Sequence, residues 1–186
     1  MKSPATRTIT LIVVAVSALT ALSLLTLGVA LGTRRTSRRV ATQCHAPAFA
    51  GPVVVATLIN TGGPMKRTGG AMHGGMMRLS IDRSAVHNGP VSFIAVNFGT
   101  VNHELLVLPL QDGQVAGTRQ TDGEDRIDET SSVGETSKTC GQGAGDGIAP
   151  ATSGWNTLDL KPGRYELVCD LPGHYNAGMY TQLTIP

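Results

Sequence analysis

The residues best suited to chemistry crowd into one short stretch near the C-terminus. From Cys169 to Met179 the chain reads Cys-Asp-Leu-Pro-Gly-His-Tyr-Asn-Ala-Gly-Met, a thiol, an imidazole and a thioether with four residues between successive members. Thiolate and thioether donors select copper over harder ions. Two His, one Cys and a weakly bound Met form a set that lets copper exchange single electrons. The stretch supplies Cys169, His174 and Met179 but lacks the second imidazole. His103, in Asn-Phe-Gly-Thr-Val-Asn-His-Glu-Leu from Asn97 to Leu105, is the candidate.

Elements must exist to bring these side chains together, and the pattern offers strands. Arg164–Cys169 places Tyr165, Leu167 and Cys169 on one face, and Tyr180–Ile185 groups Thr181, Leu183 and Ile185. The ligand stretch is therefore a loop between two strands, with Gly173 and Gly178 free to turn it tightly. His103 opens an apolar strand, Glu104–Leu110, that can neighbour the last two. Further strands are expected at Val53–Ile59, Met77–Asp82, Val91–Phe98 and Thr157–Leu160, punctuated by Gly, Pro and Asn. Short strands without a convincing helix in this part of the chain point to an all-β sandwich. Residues 111–153 carry little periodicity. They hold Asp122, Glu124, Asp125, Asp128, Glu129 and Glu135, and a loop of that length is expected to be functional or ordered by something else.

Carried on the residues quoted above, with Asn97-x5-His103-Glu-Leu and Cys169-x4-His174-x4-Met179 in that order, the chain from about Val53 to Pro186 resembles the cupredoxins. The four-plus-four spacing is similar to that of rusticyanins and sulfocyanins. The resemblance implies a Greek-key β-sandwich and one type 1 blue-copper ion held by His103, Cys169, His174 and Met179. It also implies a one-electron carrier that meets redox partner proteins, a cytochrome or an oxidase, through a near-surface His174. Leu171, Pro172, Tyr175 and Ala177 would then form the docking patch, with the acidic run steering a basic partner.

Rival chemistries fit less well. Structural zinc takes four Cys or His ligands, and a thioether serves it poorly. A cysteine-nucleophile hydrolase would use His174 as base and leave Met179 without a role. Val168 and Asp170 flank Cys169 where a multicopper oxidase has histidines. Only His45, His73 and His87 remain for a second copper centre, so no catalysis is expected. Met65, Met72, His73, Met76 and Met77 offer a different function, transient Cu(I) binding for copper trafficking. Against it, Met77 falls on the inward face of its strand.

The fifteen basic and thirteen acidic residues conceal a split. Six of the basic ones, Lys2, Arg7, Arg34, Arg35, Arg38 and Arg39, lie before Val40, and every acid lies after it. Nine basic against thirteen acidic residues remain from Val40 onward, a formal −4 that gives no support to nucleic-acid binding. Between Arg7 and Arg34, Ile9 to Leu31 is a 23-residue uncharged, mostly apolar run. As a helix it spans about 35 Å, enough for a hydrocarbon core of about 30 Å. Residues 1–33 are accordingly expected to be a membrane anchor, or a cleaved signal that would leave the protein secreted. Residues 34–52 read as a stem and 53–186 as the copper domain. The more basic flank lies after the apolar run, the reverse of what the positive-inside rule asks of an exported domain. An extracytoplasmic domain is nonetheless expected. Once Cys169 is assigned to copper, Cys44 and Cys140 remain as a possible disulfide that suits an oxidising compartment.

Overall fold

In the computed structural model, residues 44–60, 66–68, 71–73 and 76–186 are described. The apolar run at 9–31 and most of the stem lie outside them. Among the described residues no helix is long and apolar enough to cross a membrane.

The described residues form ten strands: β1 (Val53–Asn60), β2 (Lys66–Thr68), β3 (Ala71–His73), β4 (Met77–Ile81), β5 (Gly89–Asn97), β6 (Leu105–Leu110), β7 (Gly134–Thr136), β8 (Ser153–Leu160), β9 (Gly163–Val168) and β10 (Tyr180–Ile185). They form one four-stranded sheet in the order β4-β1-β5-β8, a second in the order β10-β9-β6-β7, and a β2-β3 pair. All contacts between sheet neighbours are antiparallel except β1 with β5. The stretch between β1 and β4, which holds Met72 and His73, thus contains a short hairpin, with Arg67 opposite Met72.

Alternation explains the main core. On β1, Val54, Ala56 and Leu58 point inward, and on β5 Val91, Phe93 and Ala95 do the same. They meet Leu105, Val107, Leu167, Leu183 and Ile185 of the second sheet. Burying such side chains stabilises the sandwich by about 1.5–3 kcal/mol each. Both inward runs end in asparagine, Asn60 and Asn97, at the end of the sandwich where β6 begins.

The second sheet is buried on both faces, which is why Leu105–Leu110 is apolar without alternation. Leu106, Leu108 and Val168 face away from the main core and pack with Ile127 and Tyr175 in a smaller cluster. The cover comes from the segment after β6, which is ordered rather than loose. Val133 N donates to Val107 O, β7 extends the sheet, and Ile148 pairs with His103 by two backbone hydrogen bonds. Polar composition hides this order, because the segment is held mainly by turns and by buried carboxylates.

Cys44 and Cys140 are joined by a disulfide across a separation of 96 residues. Closing so long a loop restricts the unfolded chain and stabilises the fold by roughly 2–4 kcal/mol. Denaturant unfolding of the full chain under reducing conditions should therefore show a lower midpoint than under oxidising ones, and Cys140→Ser should unfold at the reduced midpoint in both.

Candidate metal centre

The donor residues come from two places on the second sheet. Cys169 directly follows β9 on its inward face and is completely buried. His103 precedes β6, the strand hydrogen-bonded to β9. The loop from Cys169 returns to β10 through a tight path. His174 N donates to Leu171 O, Gly178 N to Tyr175 O, and Met179 N to His174 O. Cys169 N donates to Met179 O at 3.0 Å and closes the base of the loop. Gly173 and Gly178 take φ of 79° and 101°, values that a side chain at either position would resist.

Three donor atoms converge. His103 Nδ1 and His174 Nδ1 are 3.2 Å apart, and Cys169 Sγ lies 3.2 Å from His174 Nδ1 and 4.0 Å from His103 Nδ1. Met179 is buried with them, in the same core cluster as Cys169. Of the expected ligands, the structure gathers His103, Cys169 and His174 within 4.8 Å and brings Met179 back beside Cys169 through the backbone.

Neighbours fix which nitrogen is bare. Asn60 Oδ1 accepts from Thr100 N at 2.7 Å, while its amide nitrogen donates to Thr100 Oγ1. The same Oδ1 lies 3.2 Å from His103 Nε2, so Nε2 carries the proton and Nδ1 presents a lone pair to the site. Gly99 makes room for this contact. A Cβ there would come within 2.2 Å of Asn60 Oδ1 and 2.7 Å of His103 Nε2. Neither Asn60 nor Gly99 stood out in the sequence, although the alternation of β1 does place Asn60 inward.

Electrostatics favour neutral imidazoles and demand compensation for sulfur. Burial holds both histidines well below 6.5, at about 4, with His174 adding to the effect on His103. Burial, reinforced by the nearby Glu104 charge, pushes the Cys169 thiol far up. The backbone N–H groups of Glu104 and Leu171 point at the sulfur and act in the opposite sense. A cation bound here would displace the thiol proton and satisfy the sulfur. Two bare imidazole nitrogens, a buried thiol and a thioether residue fit copper better than zinc. Glu104 is itself buried. Its pKa is raised to about 7 by burial and by Glu135, and its Oε1 accepts from Asp170 N.

Other expected residues sit elsewhere. Met77 is buried in the main core, so it packs rather than binds; Met76 is 82% exposed. The side chains of Met65, Met72 and His73 lie outside the described residues. His45 and His87 are both exposed and belong to no metal-holding group among the described residues. Tyr175, expected in the docking patch, is instead buried, with its hydroxyl bonded to Glu166 and to Arg119 N.

The histidines give the metal-free protein a definite acid response. Their folded pKa values lie below the unfolded value, so the unfolded chain binds more protons between about 6.5 and 4 and stability falls as pH drops through that window. Glu104, raised to about 7, acts in the opposite sense between its ordinary value and 7. Thermal unfolding of the metal-free chain should show a midpoint that declines from pH 6.5 to 4.5. The decline should be smaller in His103→Gln and steeper in Glu104→Gln.

No family model and no curated protein matches the chain. Solved structures do. Rusticyanin from Thiobacillus ferrooxidans is 18% identical, with 74% of this chain and 79% of that one covered at a TM-score of 0.43. An auracyanin from Roseiflexus castenholzii is 16% identical, covering 75% and 99% at a TM-score of 0.45. Auracyanin A from Chloroflexus aurantiacus, a "blue" copper protein, is 14% identical, covering 73% and 100% at 0.42. Two stacked four-stranded sheets, with His103, Cys169, His174 and Met179 brought to one end, make this chain resemble the cupredoxins in its fold and donor set.

Proposed function

We propose that the chain is a one-electron carrier built around one type 1 copper ion. The observation that carries this reading is the convergence of His103 Nδ1, Cys169 Sγ and His174 Nδ1 in one buried cluster. Copper bound there would supply a single reversible electron. The chain's own residues do the rest. Cys169 provides the thiolate, His103 and His174 provide neutral imidazoles, and Met179 provides a weak thioether. Asn60 holds the His103 ring through Nε2. Because these groups are fixed by packing and hydrogen bonds, little rearrangement accompanies a change of oxidation state, which favours transfer over catalysis.

His174, 8% exposed, is the natural port to a partner. Exposed Pro172 and half-buried Leu171 and Ala177 lie on the same loop. Phe98 is 65% exposed on the connection that leads to Gly99 and His103. Such a small apolar surface suits a transient redox encounter. The acidic segment adjoins it, because Gly173 N donates to Asp125 O and Asn176 reaches Asp125 Oδ1. Asp122, Glu124, Asp128 and Glu129 are exposed beside the ligand loop and would steer a basic redox partner such as a cytochrome. An extracytoplasmic location, with a tether or cleaved signal at 9–31, is the setting that the Cys44–Cys140 disulfide favours.

Copper-loaded full chain should show an intense thiolate-to-copper band that bleaches with ascorbate and returns on reoxidation, and Cys169→Ser should lack it. Loss of copper on each reduction would overturn the carrier reading in favour of metal trafficking. Replacing Asp122, Glu124, Asp128 and Glu129 by their amides should slow association with a basic cytochrome by about tenfold at low salt and flatten the salt dependence. An unchanged rate would remove the steering role.

A further inference from the structure

The segment between β6 and β7 grips the ligand loop on both sides of His174. Glu166 points away from the main core, and its carboxylate is wholly buried. Gly117 N donates to Oε1 at 2.6 Å, the Tyr175 hydroxyl donates to the same oxygen at 2.9 Å, and Arg119 Nε donates to Oε2 at 2.6 Å. Arg119 is itself anchored, with a guanidinium nitrogen 2.7 Å from Pro109 O. Its backbone N–H donates to the Tyr175 oxygen at 3.0 Å, so the phenol next to His174 is held from two directions. Across the loop, the Asp170 carboxylate accepts from Ile127 N at 2.6 Å and from Arg126 Nε at 3.3 Å. Gly173 N donates to Asp125 O at 3.1 Å. His174 is thus bracketed by anchored residues at 170, 173 and 175.

A buried carboxylate that loses one donor keeps its full desolvation cost, so these contacts hold together or fail together. Moving the loop outward would pull the Tyr175 hydroxyl off Glu166 in a dry interior. We propose that Glu166 and Arg119 are positioning residues for His174, acting through Tyr175 to hold the ligand loop in its metal-receiving shape before any metal arrives. This rests on the copper reading of the same site. Tyr175 is suited to the task, because its hydroxyl donates to Glu166 Oε1 while accepting from Arg119 N.

The test uses the full chain with Tyr175→Phe, which keeps the ring and removes the hydroxyl, and with Glu166→Gln. In the metal-free protein, amide hydrogen exchange at His174, Ala177, Gly178 and Met179 should speed up by about tenfold or more relative to β1 and β5 in the same variant. In the copper-loaded protein, both variants should alter the copper hyperfine splitting and slow electron self-exchange. Exchange that rises uniformly across loop and sheets, with an unchanged copper spectrum and self-exchange rate, would make the clasp a stabilising contact only and overturn the proposal. Should Glu166→Gln fail to fold, Tyr175→Phe decides the matter. A parent chain that takes up no copper would sink the copper reading alone, and the metal-free exchange data would still decide whether the clasp holds the loop.

Discussion

A thiol sealed from water between two neutral imidazoles is the constraint on which the rest of this structure depends. Among the described residues, the Cys169 sulfur meets two backbone N–H groups and the ring nitrogens of His103 and His174. Such a site resists holding either a thiolate or an imidazolium by itself. It becomes consistent when one cation replaces the thiol proton and takes the bare nitrogen lone pairs. The surrounding groups serve that arrangement. Asn60 sets the tautomer of His103, Gly99 leaves space for the contact, and Ile148 ties the His103 backbone in place.

The sandwich alone would expose the outer face of its second sheet. The segment from Gln111 to Gly134 covers that face, burying Leu106, Leu108 and Val168 under Ile127 and Tyr175. Because Tyr175 belongs to the ligand loop, the same packing that completes this small core also restrains the loop. The buried carboxylates of Glu166 and Asp170 add directional contacts to a surface that apolar packing alone would leave free to slide. The price is two buried charges, offset by Arg119, Arg126 and several backbone donors. Stability and site geometry are therefore coupled through one segment.

Much of this was legible in sequence where neighbours in space are also neighbours in the chain. Cys169, His174 and Met179 share one loop, so their spacing alone marks them, and alternation or unbroken apolar and β-branched runs located seven of the main strands within a few residues. His103 was legible because it opens an apolar strand. The contacts made by 111–153 were not. Glu166 is one polar residue in an alternating strand and Arg119 one basic residue in a polar stretch, and only folding reveals that they meet. Tyr175 misled for a related reason, since a tyrosine next to a near-surface ligand reads as a docking residue until its hydroxyl is found on a buried carboxylate. The β2-β3 hairpin escaped because its strands, Lys-Arg-Thr and Ala-Met-His, are only three residues long and too short to carry a period-2 signal.

X-ray absorption at the copper edge, on the full chain in both oxidation states, tests the central claim most directly. The account expects one short sulfur and two nitrogen scatterers around a single copper, with only small changes in distance between Cu(II) and Cu(I). A shell of oxygen and nitrogen without sulfur, or a coordination number that changes on reduction, would contradict it.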